Sequence, residues 1–327
     1  MVGPIDALMR AYRGDVPGAG VAVLRDGVPI LRCAYGLADI ESRAAATPAT
    51  NYRLASMTKQ FTAAAILLLA EDGRLSLNDP VRRWLPTLPE GADEIVIRHL
   101  LTHTSGLIDY EDLIPDGTTS QLHDADVLSL LEAENRSYFP PGTGYRYSNS
   151  GYSLLALIVS RASGKDFATY LRECIFQPLG MQNTVAFEAG VSAVAHRAFG
   201  HSALGQSWTR TDQSLTSATL GDGGIYSSID DLAKWDAALG DDRLLRPASL
   251  RLAFEPAAQT DDPAVQYGFG WRITGETRWH SGESVGFRNV IVRYPEHRFT
   301  VIVLTNRDEP EPYPTALAIA KILLPAR

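Results

Sequence analysis

The sequence predicts an α/β (α+β) protein: one antiparallel sheet flanked by terminal helices, with a mostly helical region inserted in the chain between the halves of the sheet. Three observations lead there. β-rich runs cluster near both termini, helical periodicity dominates the middle, and no internal repeat or low-complexity tract divides the chain in another way. At 327 residues, 45 % apolar and 21 % charged, the chain can fill one large domain or two smaller ones with well-formed cores.

Ile5, Leu8, Met9 and Tyr12 recur at helical spacing and predict a short amphipathic opening helix. Residues 20–24 and 28–35 are rich in strand formers, and Asp26-Gly27 between them is a strong hairpin signal. From Ser56 to Glu71 the pattern is helical and stops at Asp72-Gly73, where glycine favours a helix end. Further helices are predicted over 153–161, 167–175 and 230–239, among long Gly- and Pro-rich loops. The pattern then returns to strands over 278–281, 287–294 and 299–306, with a turn at Pro295-Glu296-His297, and ends in a helix from about 313 to 324. This places a discontinuous sheet domain over residues 1–54 and 267–327 and a helix-rich domain over 55–266. The seam between them is the natural cleft.

Composition excludes several functions. A formal charge of −8 argues against nucleic-acid or anionic-membrane partners, which need a basic face. Cys33 and Cys174 lie far apart and outside any CxxC pair, so neither a disulfide framework nor a zinc knuckle is expected. His103, His123, His196 and His201 show no metal-ligand spacing, HExxH does not occur, and no Gly-rich phosphate loop sits between strand and helix. No metal and no cofactor are therefore expected. No apolar run approaches the roughly 20 residues of a membrane span. The opening residues 1–6 carry neither the basic start nor the apolar core of a secretory leader. As written, the sequence predicts a cytoplasmic protein, or a periplasmic or secreted one if a leader was removed. The oligomeric state stays open.

The residue that asks for an explanation is a lysine. The chain has four Lys against 26 Arg, and one of the four, Lys59, follows Ser56 by three positions. A guanidinium keeps its proton at any reachable pH, whereas a buried ammonium can lose it. Positions i and i+3 share a helix face, so Lys59 can reach Ser56 and serve as its base. Ser56 also opens its helix, where free N–H groups favour developing negative charge. A capping serine with a surface lysine is the plain alternative.

Two further elements suit the same chemistry. In Tyr147-Ser148-Asn149, after a Gly/Pro-rich loop, the tyrosine can relay a proton and the Asn149 amide can donate and accept. A loop tyrosine buried among Tyr145 and Tyr152 is the rival reading. In His280-Ser281-Gly282, at the end of a β-rich run, the glycine lets a substrate lie against the strand, and the N–H of Glu283 can pair with that of Ser56 to hold an oxyanion. A lone histidine ending a strand is more often structural.

Taken in this order, Ser-x-x-Lys, Tyr-x-Asn and a basic residue-x-Gly resemble the serine β-lactamase and penicillin-binding-protein-like family, in its class C β-lactamase-like branch. That branch includes carboxylesterases, D-aminopeptidases and D-Ala-D-Ala carboxypeptidases. The likeness extends over Gly36-Leu37-Ala38-Asp39, residues 100–107, Gly223-Gly224-Ile225-Tyr226-Ser227, Asp231-Leu232-Ala233-Lys234-Trp235 and Tyr267-Gly268-Phe269-Gly270-Trp271. It implies the β-lactamase/transpeptidase-like fold, Ser56 as nucleophile, Lys59 and Tyr147 as proton-transfer partners, and Asn149 as positioner. His280, Ser281, Gly282 and Glu283 become the substrate-binding and oxyanion strand. The expected activity is hydrolysis of an ester or amide in a small molecule or peptide through a Ser56 acyl-enzyme. One departure stands out: the family's lactamases carry Lys-Thr-Gly where this chain has His280-Ser281-Gly282. A histidine is cationic only below about pH 6.5 unless its surroundings shift it. Weaker anchoring of anionic β-lactams is expected, which tilts the reading toward a carboxylesterase or peptidase. Under this reading kcat/KM carries a His280 limb near neutrality. A class C-like β-lactamase, a D-Ala-D-Ala carboxypeptidase, and a penicillin-binding sensor without turnover are the alternatives.

A competing serine occurs in Gly282-Glu283-Ser284-Val285-Gly286, which matches the G-x-S-x-G elbow of α/β-hydrolases. That elbow needs a helix after it, and residues 287–292 read as a strand, so Ser284 is expected to cap a turn between two strands. His103-Thr104-Ser105-Gly106 reads as a structural loop near the cleft, and Asp79, Asp109 and Glu111 as acids without a catalytic role.

Overall fold

Alternation of apolar residues at the two ends of the chain resolves into a single eight-stranded antiparallel sheet in a computed structural model that describes residues 2–324. The chain opens with α1 (Val2–Leu8) and the hairpin β1 (Ala19–Arg25) and β2 (Val28–Tyr35). Asp26 and Gly27 both take positive φ, 54° and 75°, as the predicted tight hairpin turn requires. The main helices of the middle are α2 (Lys59–Glu71), α3 (Asn149–Ser163) and α4 (Ile229–Ala238). Six strands follow: β3 (Ala258–Gln259), β4 (Gln266–Tyr267), β5 (Arg272–Thr274), β6 (Thr277–Ser284), β7 (Phe287–Tyr294) and β8 (Phe299–Thr305). A helix, α5 (Tyr313–Leu323), closes the described chain. The sheet order is β3-β4-β5-β6-β7-β8-β1-β2, so the N-terminal hairpin completes a sheet begun by the C-terminal strands.

The period of two along each strand sorts side chains to opposite faces. One face, with Val21 and Val23 of β1, Val290 and Val292 of β7, and Val301 and Val303 of β8, packs on Ile5 of α1, on Met9 just after it, and on Ala316, Ile319 and Ala320 of α5. The other, with Ala22, Leu24, Ile291, Ile302 and Leu304, faces the inserted region through Met57, Phe61, Ile229 and Trp235. Helix α2 is buried over most of its length, from Lys59 through Leu67 and again at Leu69, and is apolar on nearly every side, as a central helix must be.

The serine segment departs from the expected continuous helix. Ala55–Thr58 forms a tight 3₁₀ turn, and α2 begins only at Lys59. Ala55 stands at φ 50°, a left-handed conformation that costs an L-residue about 1 kcal/mol or more and that turns the chain sharply before Ser56. The helix expected over 167–175 also changes pitch: it is α-helical over Phe167–Leu171 and widens to a π-turn over Arg172–Phe176. The short strands β3 to β5 carry too few residues to show a period and are visible only in the sheet.

Two contacts lock the 3₁₀ turn to the sheet. Asn289 of β7, fully buried, donates from Nδ2 to the carbonyl of Arg53 at 2.7 Å, while its Oδ1 accepts from the N–H of Thr305 at 3.1 Å. Gly282 of β6 lies so close to the turn that a Cβ there would sit 1.9 Å from the carbonyl oxygen of Leu54. Gly282→Ala is therefore expected to lower unfolding stability by about 3 kcal/mol or more, because the clash is with backbone that cannot swing away. Urea denaturation checks this, and a loss below about 1 kcal/mol would show that strand and turn are not clamped as described.

Candidate active site

Lys59 sits at the centre. It is fully buried, and its Nζ makes three hydrogen bonds: to Ser56 Oγ at 3.0 Å, to Asn149 Oδ1 at 2.8 Å and to the carbonyl oxygen of Asp222 at 3.0 Å. The first contact is local, because residues three apart eclipse one another on a 3₁₀ turn. The other two come from distant segments, α3 starting at Asn149 and the short helix Leu220–Gly223. Two of the three partners are acceptor-only toward Lys59, the carbonyl of Asp222 and the amide oxygen of Asn149. A neutral amine has two N–H donors and one lone pair. As it stands Lys59 donates to all three; when it gives up one proton the two pure acceptors keep the remaining donors, so the lone pair it exposes falls toward Ser56, the one partner with a proton to give.

Asn149 is oriented from behind. Its Nδ2 donates to Glu111 Oε1 at 2.9 Å, which can only accept, so Oδ1 must face Lys59. Its backbone N–H donates to Asp109 Oδ2 at 2.6 Å, and Asp109 Oδ1 accepts from the N–H of Glu111 at 3.0 Å. Asp109 and Glu111 read from sequence as acids without a role; the fold makes both part of the frame around Asn149. The 3₁₀ turn Tyr110–Leu113 that carries Glu111 is itself anchored, with the N–H of Tyr110 donating to Ser150 Oγ at 2.7 Å.

Tyr147 lies over the lysine, its ring centroid 5.0 Å from Lys59 Nζ. It is one face of an aromatic stack. The ring of His103 packs 4.3 Å from Tyr147, 5.2 Å from Tyr152 and 4.6 Å from Tyr267. His103 Nδ1 accepts from the N–H of Ser148 at 3.2 Å, and its carbonyl accepts from the N–H of Arg146 at 3.0 Å. The loop His103-Thr104-Ser105-Gly106 is thus the template for the Tyr147 loop. Burial holds the His103 imidazole well below its ordinary pKa, with the charge of Lys59 next in effect.

His280 differs from its expected role. It is buried on β6, where its Nε2 lies 2.9 Å from Tyr267 OH and its Nδ1 2.6 Å from the carbonyl of Ser281. A carbonyl only accepts, so Nδ1 carries the proton and Nε2 accepts from the tyrosine. Burial first, and then the guanidinium of Arg272, push its pKa well below 6.5. The motif thus carries no charge at neutral pH, and the limb near neutrality expected from sequence is replaced by a neutral His280 throughout that range. A permanent cation is nevertheless nearby: Arg272 of β5 lies 5.3 Å from the Tyr147 ring centroid. Ser281 and Gly282 follow on the same strand. Pairing of β5 with β6 ends at Trp279, while β7 continues alongside to Ser284, so residues 280–284 including Glu283 border β5's side without a partner strand.

Ser284 lies where β6 turns into β7, and the segment after it is strand, not helix. It is the last residue of β6, paired with Phe287 across the turn at Val285-Gly286, and its Oγ is buried without a hydrogen-bond partner, so it does not cap that turn. Asp222, Arg272 and Tyr267 were not singled out in the sequence beyond the motif around Tyr267; nothing local marks them. Among the described residues no group of acids, His or Cys is arranged to hold a metal ion, and no helix is long and apolar enough to cross a membrane.

Behind Lys59 two acids are buried together. Asp124 accepts from the N–H groups of Leu220 and Gly221 at 3.0 and 3.3 Å, and Asp222 accepts from Tyr110 OH at 3.3 Å. Burial, then the neighbouring Asp222, raises Asp124 to about 7.

A serine hydrolase is the class of protein that this fold and this serine–lysine pair define. The family model described as Beta-lactamase matches residues 5–324, and the chain belongs to that family. It is 34 % identical over 318 residues to penicillin-binding protein 4* of Bacillus subtilis (strain 168), covering 91 % of this chain and 70 % of that protein. It is 30 % identical over 315 residues to a D-aminopeptidase of Gluconobacter oxydans (strain 621H), covering 92 % of this chain but only 58 % of that longer relative. The octameric penicillin-binding protein homologue from Pyrococcus abyssi shares the fold with a TM-score of 0.86 and 28 % identity, over 98 % of this chain and 77 % of that one.

Two pH experiments follow from the buried groups. Because His280 stays neutral, the shape of the kcat/KM profile between pH 6 and 8 should be the same in wild type and His280→Gln; a limb that vanishes in the variant would show that His280 titrates there. Asp124 has the opposite shift. Its folded pKa lies above its unfolded value, so its contribution to stability is full below about pH 4 and is lost as pH rises through about 7. Chemical denaturation between pH 4 and 8 should show a smaller loss with rising pH in Asp124→Asn than in wild type, and parallel curves would contradict the assignment.

Proposed function

We propose that this protein hydrolyses an ester or amide bond in a small-molecule or peptide substrate through an acyl-enzyme on Ser56. The observation that carries the reading is the set of three partners around Lys59 Nζ, two of them pure acceptors, so that a neutral Lys59 can turn its lone pair only toward the serine hydroxyl. Ser56 Oγ attacks the carbonyl carbon as its proton passes to Lys59. Tyr147, stacked on the lysine, hands a proton to the departing oxygen or nitrogen and then, as general base, helps water release the acyl group. The N–H groups of Ser56 and Glu283 hold the oxyanion, and the strand from His280 to Gly282 lines the substrate. Each proton-transfer role is worth about 10²–10⁴ in rate.

The kinship with a D-aminopeptidase supports an amide among the substrates. Loss of the third motif's own cation speaks against tight binding of anionic β-lactams, though Arg272 restores positive charge beside Tyr147. A second reading is favoured by the kinship with penicillin-binding protein 4*: acylation by a penicillin without turnover. Mass spectrometry separates the two, since a persistent Ser56 adduct marks the sensor and repeated turnover marks the hydrolase.

Hydrolysis of p-nitrophenyl acetate by wild type, Ser56→Ala and Ser284→Ala tests the assignment. Ser56→Ala should lose about 10³-fold or more in kcat, while Ser284→Ala should stay within about twofold. The reverse pattern would move the nucleophile to Ser284.

A further inference from the structure

Arg53 is a buried cation without a counter-ion. Among the described residues three arginines are buried, Arg53, Arg293 and Arg307, at 2 %, 8 % and 4 % exposed. Arg293 pairs with Asp236 at 2.6 Å, and Arg307 donates to the carbonyl of Ala11 at 2.9 Å and lies over the ring of Tyr12. Arg53 has no such partner. Its Nε and Nη1 are buried without a hydrogen bond, and no carboxylate among the described residues pairs with it. The ring of Tyr226 lies 6.0 Å from its Cζ, at the limit of a cation–π contact. Its backbone is fixed all the same: Tyr52–Arg53 pairs with Ser227 and Tyr226, and the Arg53 carbonyl accepts from Asn289. The guanidinium ends at the floor of the cleft. A Cβ on Gly223 would stand 3.8 Å from Arg53 Nη2 and 3.7 Å from Cα of Ala55, both ordinary contacts, so there is open space directly beside the guanidinium. Gly223 and Ser56 are both partly exposed. Gly223 follows the Asp222 carbonyl that caps Lys59, while the Asp222 carboxylate stays out of pairing distance and takes Tyr110 OH at 3.3 Å. A buried charge is costly unless it is paired, and here the fold withholds the partner.

We propose that Arg53 and the bare backbone of Gly223 form an anion site in the acyl pocket, so that the preferred acyl group ends in a carboxylate of its own and the substrate is a half-ester or half-amide of a dicarboxylic acid. This rests on the acyl-enzyme reading above. The side follows from the geometry. Tyr147, which protonates the leaving group, and Arg272 lie together on one flank of Lys59. Ala55 and Gly223 lie on another, at the foot of the serine turn and beside the Asp222 carbonyl. A chain that runs from the carbonyl on Ser56 to Gly223 therefore belongs to the acyl half. A guanidinium offers a carboxylate paired N–H donors, and the charge-assisted bonds are stronger than neutral ones. Glycine at 223 keeps the approach open, since any side chain there would stand over Nη2. An entering carboxylate becomes the missing counter-ion, whereas a neutral acyl chain leaves the guanidinium unpaired and gains nothing from it.

The test compares p-nitrophenyl half-esters of glutaric, adipic and pimelic acid with the same esters ending in a carboxamide, at pH 7 and corrected for uncatalysed hydrolysis. In wild type kcat/KM should favour the acid over the carboxamide by about 10- to 100-fold at one or more of the three chain lengths. In Arg53→Gln that ratio should fall toward one, and Arg53→Lys, which keeps the charge but not the fork, should retain part of it. A merely structural Arg53 would slow acid and carboxamide alike in Arg53→Gln and leave the ratio standing. Should Arg53→Gln not fold, Gly223→Leu decides: its Cβ has room, its longer side chain covers Nη2, and the ratio should fall with Arg53 still in place. Equal rates for acid and carboxamide in wild type at every length, or a ratio that survives these substitutions, overturn the anion site with the hydrolase reading intact. Failure to hydrolyse the half-esters, the carboxamides and p-nitrophenyl acetate alike overturns both.

Discussion

A lysine amine buried without any access to water is the feature to which the rest of the site conforms. Removing such a group from solvent costs several kcal/mol, and more if it is charged, so it needs full hydrogen bonding. Lys59 obtains this from Ser56 on its own turn and from two segments remote in sequence, Asn149 and Asp222. Each partner is in turn fixed: Asn149 by Glu111 and Asp109, and the Asp222 turn by Asp124 accepting from its first N–H groups. The inserted region is thus drawn together around one nitrogen, and the nucleophile inherits its aim from that arrangement.

The sheet supplies the opposing wall. Its rigidity comes from apolar packing on both faces, and its closeness to the nucleophile from the missing side chain of Gly282. Left-handed Ala55 and the 3₁₀ turn after it are strained in isolation and persist because Asn289 and β6 hold them. The aromatic stack of Tyr147, His103, Tyr152 and Tyr267 fills the remaining side and excludes water from the lysine, which strengthens every polar contact there.

Charge across the cleft is uneven. Asp109, Glu111 and Asp222 gather on the Asn149 side of Lys59, whereas Arg272 stands by Tyr147, with the imidazoles of His103 and His280 neutral between them. The histidine of the third motif therefore contributes shape and a hydrogen-bond acceptor for Tyr267, and the field in the cleft is set by residues outside the three motifs.

The two chain ends of the sheet, the Asp26-Gly27 hairpin and the turn after α2 were legible because alternation, helical period and glycine at positive φ are local properties. Ser56 with Lys59 was legible for the same reason: three residues apart, they meet whatever the rest of the chain does. Tyr147, Asn149 and His280 were found only as part of an ordered set of motifs that resembles a known family. The sequence by itself thus determined which serine, which lysine and which strands. Only the tertiary structure decided that Asp222 caps the lysine, that Glu111 turns the Asn149 amide, that Arg272 is the cation of the cleft and that His280 is neutral. Those outcomes depend on burial and on partners outside the local turn, from 13 residues away for His280 with Tyr267 to 163 for Lys59 with Asp222, and desolvation has no counterpart in residue spacing.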